Sequence, residues 1–232
     1  MARVLATGGI TPLSTVDFPG RLAAVLYAQG CPLRCPYCHN PHLQGARPAP
    51  GVSSWAEILA WLDRRRGLLD GIVFSGGEPT AQSGLIPALR QVRNMGFATA
   101  LHTSGIHPKR LREALPLLDW VGLDFKAPLA GYPAITGLQT SGTRASQALD
   151  LLLASGISCE IRTTVHPRLL SEKDLVLMAE LLQARGVSRW VLQEFRKEGC
   201  QDSSLCHETE SLSDKVISVL REMVPGVRIR RA

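Results

Sequence analysis

The segment Gln29-Gly30-Cys31-Pro32-Leu33-Arg34-Cys35-Pro36-Tyr37-Cys38-His39-Asn40 constrains this chain more than any other. It sets three cysteines four and then three residues apart on one short Gly/Pro-rich loop behind an apolar run. Three thiolates converging from a single loop are soft ligands suited to zinc or to an iron–sulfur cluster. A closed four-ligand site needs a fourth Cys or His, and no second cysteine pair stands nearby. His39 is the local candidate, but as the direct neighbour of Cys38 it is expected to point away. A three-ligand site leaves one metal position open, and an open position is where chemistry happens.

Short apolar runs alternate with helical patterns along the rest of the chain. Leu22–Tyr27, Ile72–Phe74, Phe97–Leu101, Trp120–Asp124, Ser158–Thr164 and Arg189–Gln193 read as buried strands. Between them, Ser54-Trp55-Ala56-Glu57 is a capping box that opens a helix running to about Arg66 and stopping at Gly67. Helices are also expected from Gly84 to Met95, closed by Gly96, from Thr143 to Ser155, closed by Gly156, and from Ser171 to Gly186. This rhythm predicts an α/β chain built of parallel βα units with right-handed crossovers. About six units imply an incomplete parallel β/α barrel, smaller than the eight-unit form.

In such folds the site forms at the carboxyl ends of the strands. The polar motifs all fall there: the cysteine loop, Gly76-Gly77-Glu78, His102-Thr103, Asp124 with Lys126, and Arg162. An arginine within an apolar strand must be paired if it is buried. That coincidence needs no relative to support it.

The C-x3-C-x2-C loop with Tyr37 before its last cysteine, followed by Val73-Phe74-Ser75-Gly76-Gly77-Glu78-Pro79-Thr80, resembles the two signature motifs of the radical S-adenosylmethionine (SAM) enzymes. Val16-Asp17-Phe18-Pro19-Gly20, Cys38-His39-Asn40 and Asp124-Phe125-Lys126-Ala127-Pro128 are similar to segments of the glycyl-radical activating enzymes. Arg64–Gly71, Ile135–Gly137, Arg162–Thr164 and Val191–Gln193 are most similar to the activating proteins of anaerobic ribonucleoside-triphosphate reductase. The likeness runs from about Gly9 to Arg196. It implies a single radical SAM domain over 1–232, with its core at about 9–196 and a C-terminal extension at about 197–232.

The resemblance implies a 4Fe-4S cluster on Cys31, Cys35 and Cys38, with one open iron that binds SAM. One electron would then break the sulfonium bond to give methionine and a 5′-deoxyadenosyl radical. Gly76 and Gly77 are expected to let backbone approach a ligand, with the Gly76-Gly77-Glu78 segment meeting the methionine amino group. Lys126 is expected at the SAM carboxylate, and Asp124, on the opposite side of the strand end, at the ribose or in an ordering role. Thr103 is assigned to the ribose side, Arg162 to the carboxylate or a neighbouring acid, Tyr37 and Asn40 to SAM contacts, and Gln193 to the top of the pocket. Asp17 is a candidate contact for the glycine loop of a partner. One departure stands out: His102-Thr103-Ser104-Gly105 replaces the Asp-Thr-Asn-Gly common in relatives. The lost carboxylate removes a ligand for a monovalent cation, so no such ion is predicted and His102 is read as a neutral hydrogen-bonding residue.

No apolar run approaches a membrane span, and the first nine residues do not resemble a signal peptide. Six cysteines, three in one metal-like loop, fit a reducing compartment, so a soluble cytoplasmic protein is expected. The net charge of +6 has local arginine groups at 64–66 and 228–231 without stacking aromatics, which disfavours nucleic acid. The expected partners are a glycyl-radical protein, foremost anaerobic ribonucleotide reductase, and a flavodoxin or ferredoxin as electron donor. Another glycyl-radical protein or a small-molecule substrate is the alternative. A zinc or electron-transfer module without catalysis would leave Gly-Gly-Glu-Pro and Asp124/Lys126 unexplained. Cys200, Cys206 and His207 form a further metal-like group, read as structural or incidental, and Cys159 as a small core residue.

Overall fold

The structure, a computed structural model, describes residues 4–207 and 212–231. Its strands form one sheet in chain order: β1 (Thr7–Ser14), β2 (Ala23–Ala28), β3 (Gly71–Gly76), β4 (Ala98–Thr103), β5 (Trp120–Asp124), β6 (Cys159–Val165), β7 (Trp190–Glu194) and β8 (Val227–Arg230). β1 is antiparallel to β2, and every later neighbour is parallel. The crossovers carry α1 (Trp55–Asp63), α2 (Leu85–Asn94), α3 (Pro108–Ala114), α4 (Tyr132–Thr136), α5 (Ser141–Ser155), α6 (Glu172–Ala184) and α7 (Asp214–Met223). From β2 to β7, six strand–helix units follow one another, as the sequence rhythm implies. Among the described residues β1 and β8 do not pair, so the barrel stays open.

The expected start and stop signals operate. Ser54 and Glu57 cap α1 reciprocally, and Ser171 and Asp174 do the same for α6. α5 ends on Gly156 in the left-handed conformation. The sequence rhythm omits β1, α3, α4, α7 and β8. β1 carries two glycines and a proline that blur its alternation, and β8 is a four-residue basic strand in the tail. The tail thus joins the sheet instead of lying outside it.

Strand alternation sorts side chains into two cores. Ala24, Leu26 and Ala28 face outward with Ile72, Phe74 and Leu101 into the large core beneath the helices. Ala23, Val25, Val73, Ala100 and Trp120 face inward and form a small apolar floor inside the barrel. Phe18, from the loop between β1 and β2, completes that floor; it is buried, with its ring 6.3 Å from that of Trp120. Farther along the strands the inward face becomes polar, and there the site lies. No helix among the described residues is long and apolar enough to cross a membrane.

Candidate active site

The cysteine loop leaves β2 and is tied down by backbone on several sides. Arg34 N–H donates to Thr136 O at 2.9 Å, Gly30 N–H to Leu43 O at 2.8 Å, and Cys38 N–H to Cys35 O at 3.1 Å. The Arg34 guanidinium reaches back to Cys31 O and Leu33 O, both at 2.8 Å. Gly76 and Gly77 press against this loop. A Cβ on Gly76 would lie 2.3 Å from Ala28 N, and one on Gly77 would lie 2.5 Å from Gly30 O. The close approach that these two glycines allow is therefore to the end of β2 for Gly76 and to the loop's own backbone for Gly77.

Cys31, Cys35 and Cys38 are free thiols on one cavity of about 270 Å³. The cavity is also lined by Asp17, Tyr37, Asn40, Gly76, Gly77, Glu78, Thr103, Asp124, Lys126, Arg162 and Gln193, so every residue expected at the cluster, at SAM or at the partner loop opens onto it, and Cys159, Cys200, Cys206 and His207 do not. Burial pushes the Cys31 thiol up to about 12 and raises that of Cys35. Among the described residues no three His, Cys, Asp or Glu side chains converge closely enough to hold a single metal ion. Three cysteine thiols from one loop are the donor set of an iron–sulfur cluster with one position left open, and here they share one cavity.

Opposite the thiols lies a charged triad. Asp124 at the end of β5 accepts from Arg162 Nη2 at 2.8 Å and from Lys126 Nζ at 3.4 Å. The sequence reading set Asp124 and Lys126 on opposite sides of the strand end; they share one side, because residues two apart in extended chain do so. Burial alone would raise the Asp124 carboxyl, but Arg162, Lys126 and His102 outweigh it and hold its pKa at about 2. Burial alone would also lower the Lys126 ammonium; Tyr37, Asp124 and Cys35 reverse this and push it well above the usual lysine value. Both charges are therefore fixed at neutral pH. Tyr37 Oη is buried and has no hydrogen-bond partner among the described residues, with Lys126 Nζ 5.6 Å from its ring centre.

Glu78 is a buried carboxylate that accepts five hydrogen bonds. They come from the Thr80 amide and hydroxyl, the Thr103 hydroxyl, and the Ser104 amide and hydroxyl. It joins the ends of β3 and β4 into one wall, and the Thr103 hydroxyl, which also accepts from Gly105 N–H, is committed to that wall. His102 donates from Nε2 to Asp17 O at 3.0 Å; burial, and then Arg162, lower its pKa to about 3, so the ring is neutral as expected. That bond and the buried Phe18 hold the Asp17 backbone at the cavity rim. Asn40 and Gln193 make no side-chain hydrogen bond among those described. Cys159 packs against the large core from β6.

The sequence assigns no site role to Thr164, Gly122 or Phe18, although Thr164 and Phe18 stand in segments that carry the resemblance, and Trp120 packs in the floor. Thr164 lines the cavity two residues after Arg162, so strand periodicity alone could have found it. Gly122 has no such signal. A Cβ there would lie 2.8 Å from Arg162 Cζ and 2.9 Å from the Trp120 ring, so the glycine clears the space in which the guanidinium meets Asp124. Gly122→Ala is expected to lower stability by ~1–3 kcal/mol through overpacking, as read by urea unfolding. An unchanged unfolding midpoint would contradict that role.

Known proteins resemble this chain in sequence and in fold. A model of the radical SAM superfamily matches residues 25–182. A glycyl-radical enzyme activating enzyme of Methanocaldococcus jannaschii is 30% identical over 206 residues, covering 84% of this chain and 81% of that one. The pyruvate formate-lyase-activating enzyme of Clostridium pasteurianum is 33% identical over 173 residues, covering 71% and 70%. Among solved structures, Streptococcus suis SuiB bound to the precursor peptide SuiA aligns with a TM-score of 0.65 at 12% identity, over 90% of this chain and 48% of that one. A domain of the Bacteroides vulgatus pyruvate-formate lyase-activating enzyme aligns at 0.54 and 16% identity, over 70% and 98%. At such identities the two structures speak for the fold alone.

Proposed function

The chain belongs to the radical SAM superfamily, among the activating enzymes of glycyl-radical proteins, and from that premise we propose that its target is an anaerobic ribonucleoside-triphosphate reductase. The observation that carries the chemistry is the single cavity onto which three free thiols and the Lys126–Asp124–Arg162 triad open. The target is supported by the segments around Arg64–Gly71, Ile135–Gly137, Arg162–Thr164 and Val191–Gln193, with Arg162, Thr164 and Gln193 on that cavity.

Cys31, Cys35 and Cys38 would hold a 4Fe-4S cluster and leave one iron free of protein ligands. When bound, the cluster and SAM supply one-electron cleavage of a sulfonium bond and abstraction of hydrogen from a glycine carbon. The residues of this chain bind, orient and exclude water. Lys126 offers a fixed positive charge for the SAM carboxylate, and Asp124 orients both Lys126 and Arg162. The Gly76-Gly77 backbone faces the amino end, and Glu78 with Thr103 keeps that wall rigid near the ribose. Tyr37 and Asn40 flank the ligand, Gln193 closes the cavity from β7, and Asp17 meets the glycine-bearing loop at the rim. A flavodoxin or ferredoxin would deliver the electron.

The test is electron paramagnetic resonance on the anaerobically reconstituted, reduced chain with SAM and one candidate glycyl protein at a time. A glycyl-radical doublet is expected on an anaerobic ribonucleotide reductase and not on pyruvate formate-lyase. The reverse pattern would discard the proposed target and keep the chemistry.

A further inference from the structure

A second pair of sulfurs lies against the outside of the cysteine loop, and the proposed reaction does not use it. Beyond β7 the chain turns over that loop as a strap. The Phe195 ring stacks on His39 with centres 5.9 Å apart, and His166 meets it edge-on at 5.1 Å. His39 Nε2 donates to Arg196 O at 2.9 Å, and a Cβ on Gly199 would lie 2.5 Å from His39 O. Cys200 Sγ then donates to Pro36 O at 3.4 Å, between Cys35 and Tyr37 in sequence.

The strap folds back on itself. Cys206 donates to Asp202 O at 3.5 Å, and Cys200 Sγ lies 3.8 Å from the same carbonyl. The turn between them, with a 3-10 helix at Ser203–Leu205, is anchored by His166 Nε2 donating to Leu205 O at 3.0 Å and Arg168 Nη1 to Ser204 O at 2.8 Å. Both thiols are free and partly exposed. Burial raises the Cys200 thiol against the lowering effect of its contact with the Asp202 backbone, in keeping with an S–H that donates.

We propose that Cys200 and Cys206 form a thiol–disulfide exchange site for a low-molecular-weight disulfide. One cysteine thiolate attacks the small disulfide, forming a mixed disulfide and releasing one small thiol. The other cysteine attacks the protein sulfur of that adduct, closing the Cys200–Cys206 bond and expelling the second small thiol. The two cysteine protons end on the two released thiols, and the two electrons reduce the small disulfide. A disulfide has no S–H, so the Cys200 contact to Pro36 O is lost and the strap loosens from the cysteine loop. The inference stands on the strap's own geometry and is independent of the reading of the cavity.

The test treats the anaerobically reconstituted holoprotein with oxidised glutathione, followed by acid quenching, alkylation and peptide mapping. The tryptic peptide 198–215 is expected to pass from two alkylated cysteines to none, with an internal disulfide that dithiothreitol reverses. Cys206→Ser and Cys200→Ser each leave one thiol without a resolving partner, and at least one of the two variants is expected to trap glutathione on the cysteine that remains. Two thiols that stay alkylated, a bond from either one to Cys31, Cys35 or Cys38, or no trapped adduct would overturn the exchange site. Hydrogen exchange of peptide 31–40 is expected to quicken on oxidation, and unchanged exchange would overturn the coupling to the loop.

Discussion

Cys35→Ala is expected to remove 5′-deoxyadenosine formation by the reconstituted, reduced chain, a loss of ~10³-fold or more, as for residues that act as one catalytic unit. Cys35 is the middle one of the three proposed ligands, and it lines the cavity with Lys126 and Cys38. Two remaining thiols from one short loop cannot hold a group with three ligated metal atoms. The loop should keep its shape in the variant, because Arg34, Gly30 and Cys38 fix it through backbone contacts. Cys159→Ala is the matched control: its thiol sits on β6 against the helix-side core, away from the cavity. Iron content and product measured together on both variants decide the matter. Product that persists in Cys35→Ala, or vanishes equally in Cys159→Ala, would sink the assignment of the three ligands.

The second large effect is on stability. Glu78→Ala is expected to cost ~3–5 kcal/mol, because it strands two buried amides and three hydroxyls that now donate to one carboxylate. At this chain length that corresponds to a drop in Tm of roughly 6–20 °C. Glu78→Gln keeps the shape but turns an NH2 group toward donors, so an intermediate loss is expected. Thermal unfolding of the three proteins checks the order. A Glu78→Ala variant as stable as the parent would show that the wall between β3 and β4 does not depend on this residue.

Much of the site could be read because its residues follow strands. Cys31, Gly76, Thr103 and Asp124 each stand just past or at the end of an apolar run, and a parallel sheet brings such ends together whatever the crossovers do. Segments with weak periodicity were illegible. β1 has glycines at 8 and 9 and a proline at 12, and β8 is only Val-Arg-Ile-Arg. The side on which Lys126 lies was misjudged because chain past a strand end keeps the alternation of the strand.

By itself the sequence determined what local pattern encodes: three cysteines on one loop, capped helices, six of the eight strands, and polar groups at the carboxyl ends. Each depends on neighbours within a few residues, where spacing is geometry. Only the tertiary structure decided which groups meet. The Asp124–Arg162 pair, the space at Gly122 that admits it, Phe18 closing the barrel floor, and the strap that brings Cys200 onto Pro36 all join residues far apart in the chain. Such contacts follow from strand register and close packing, which one sequence does not spell out.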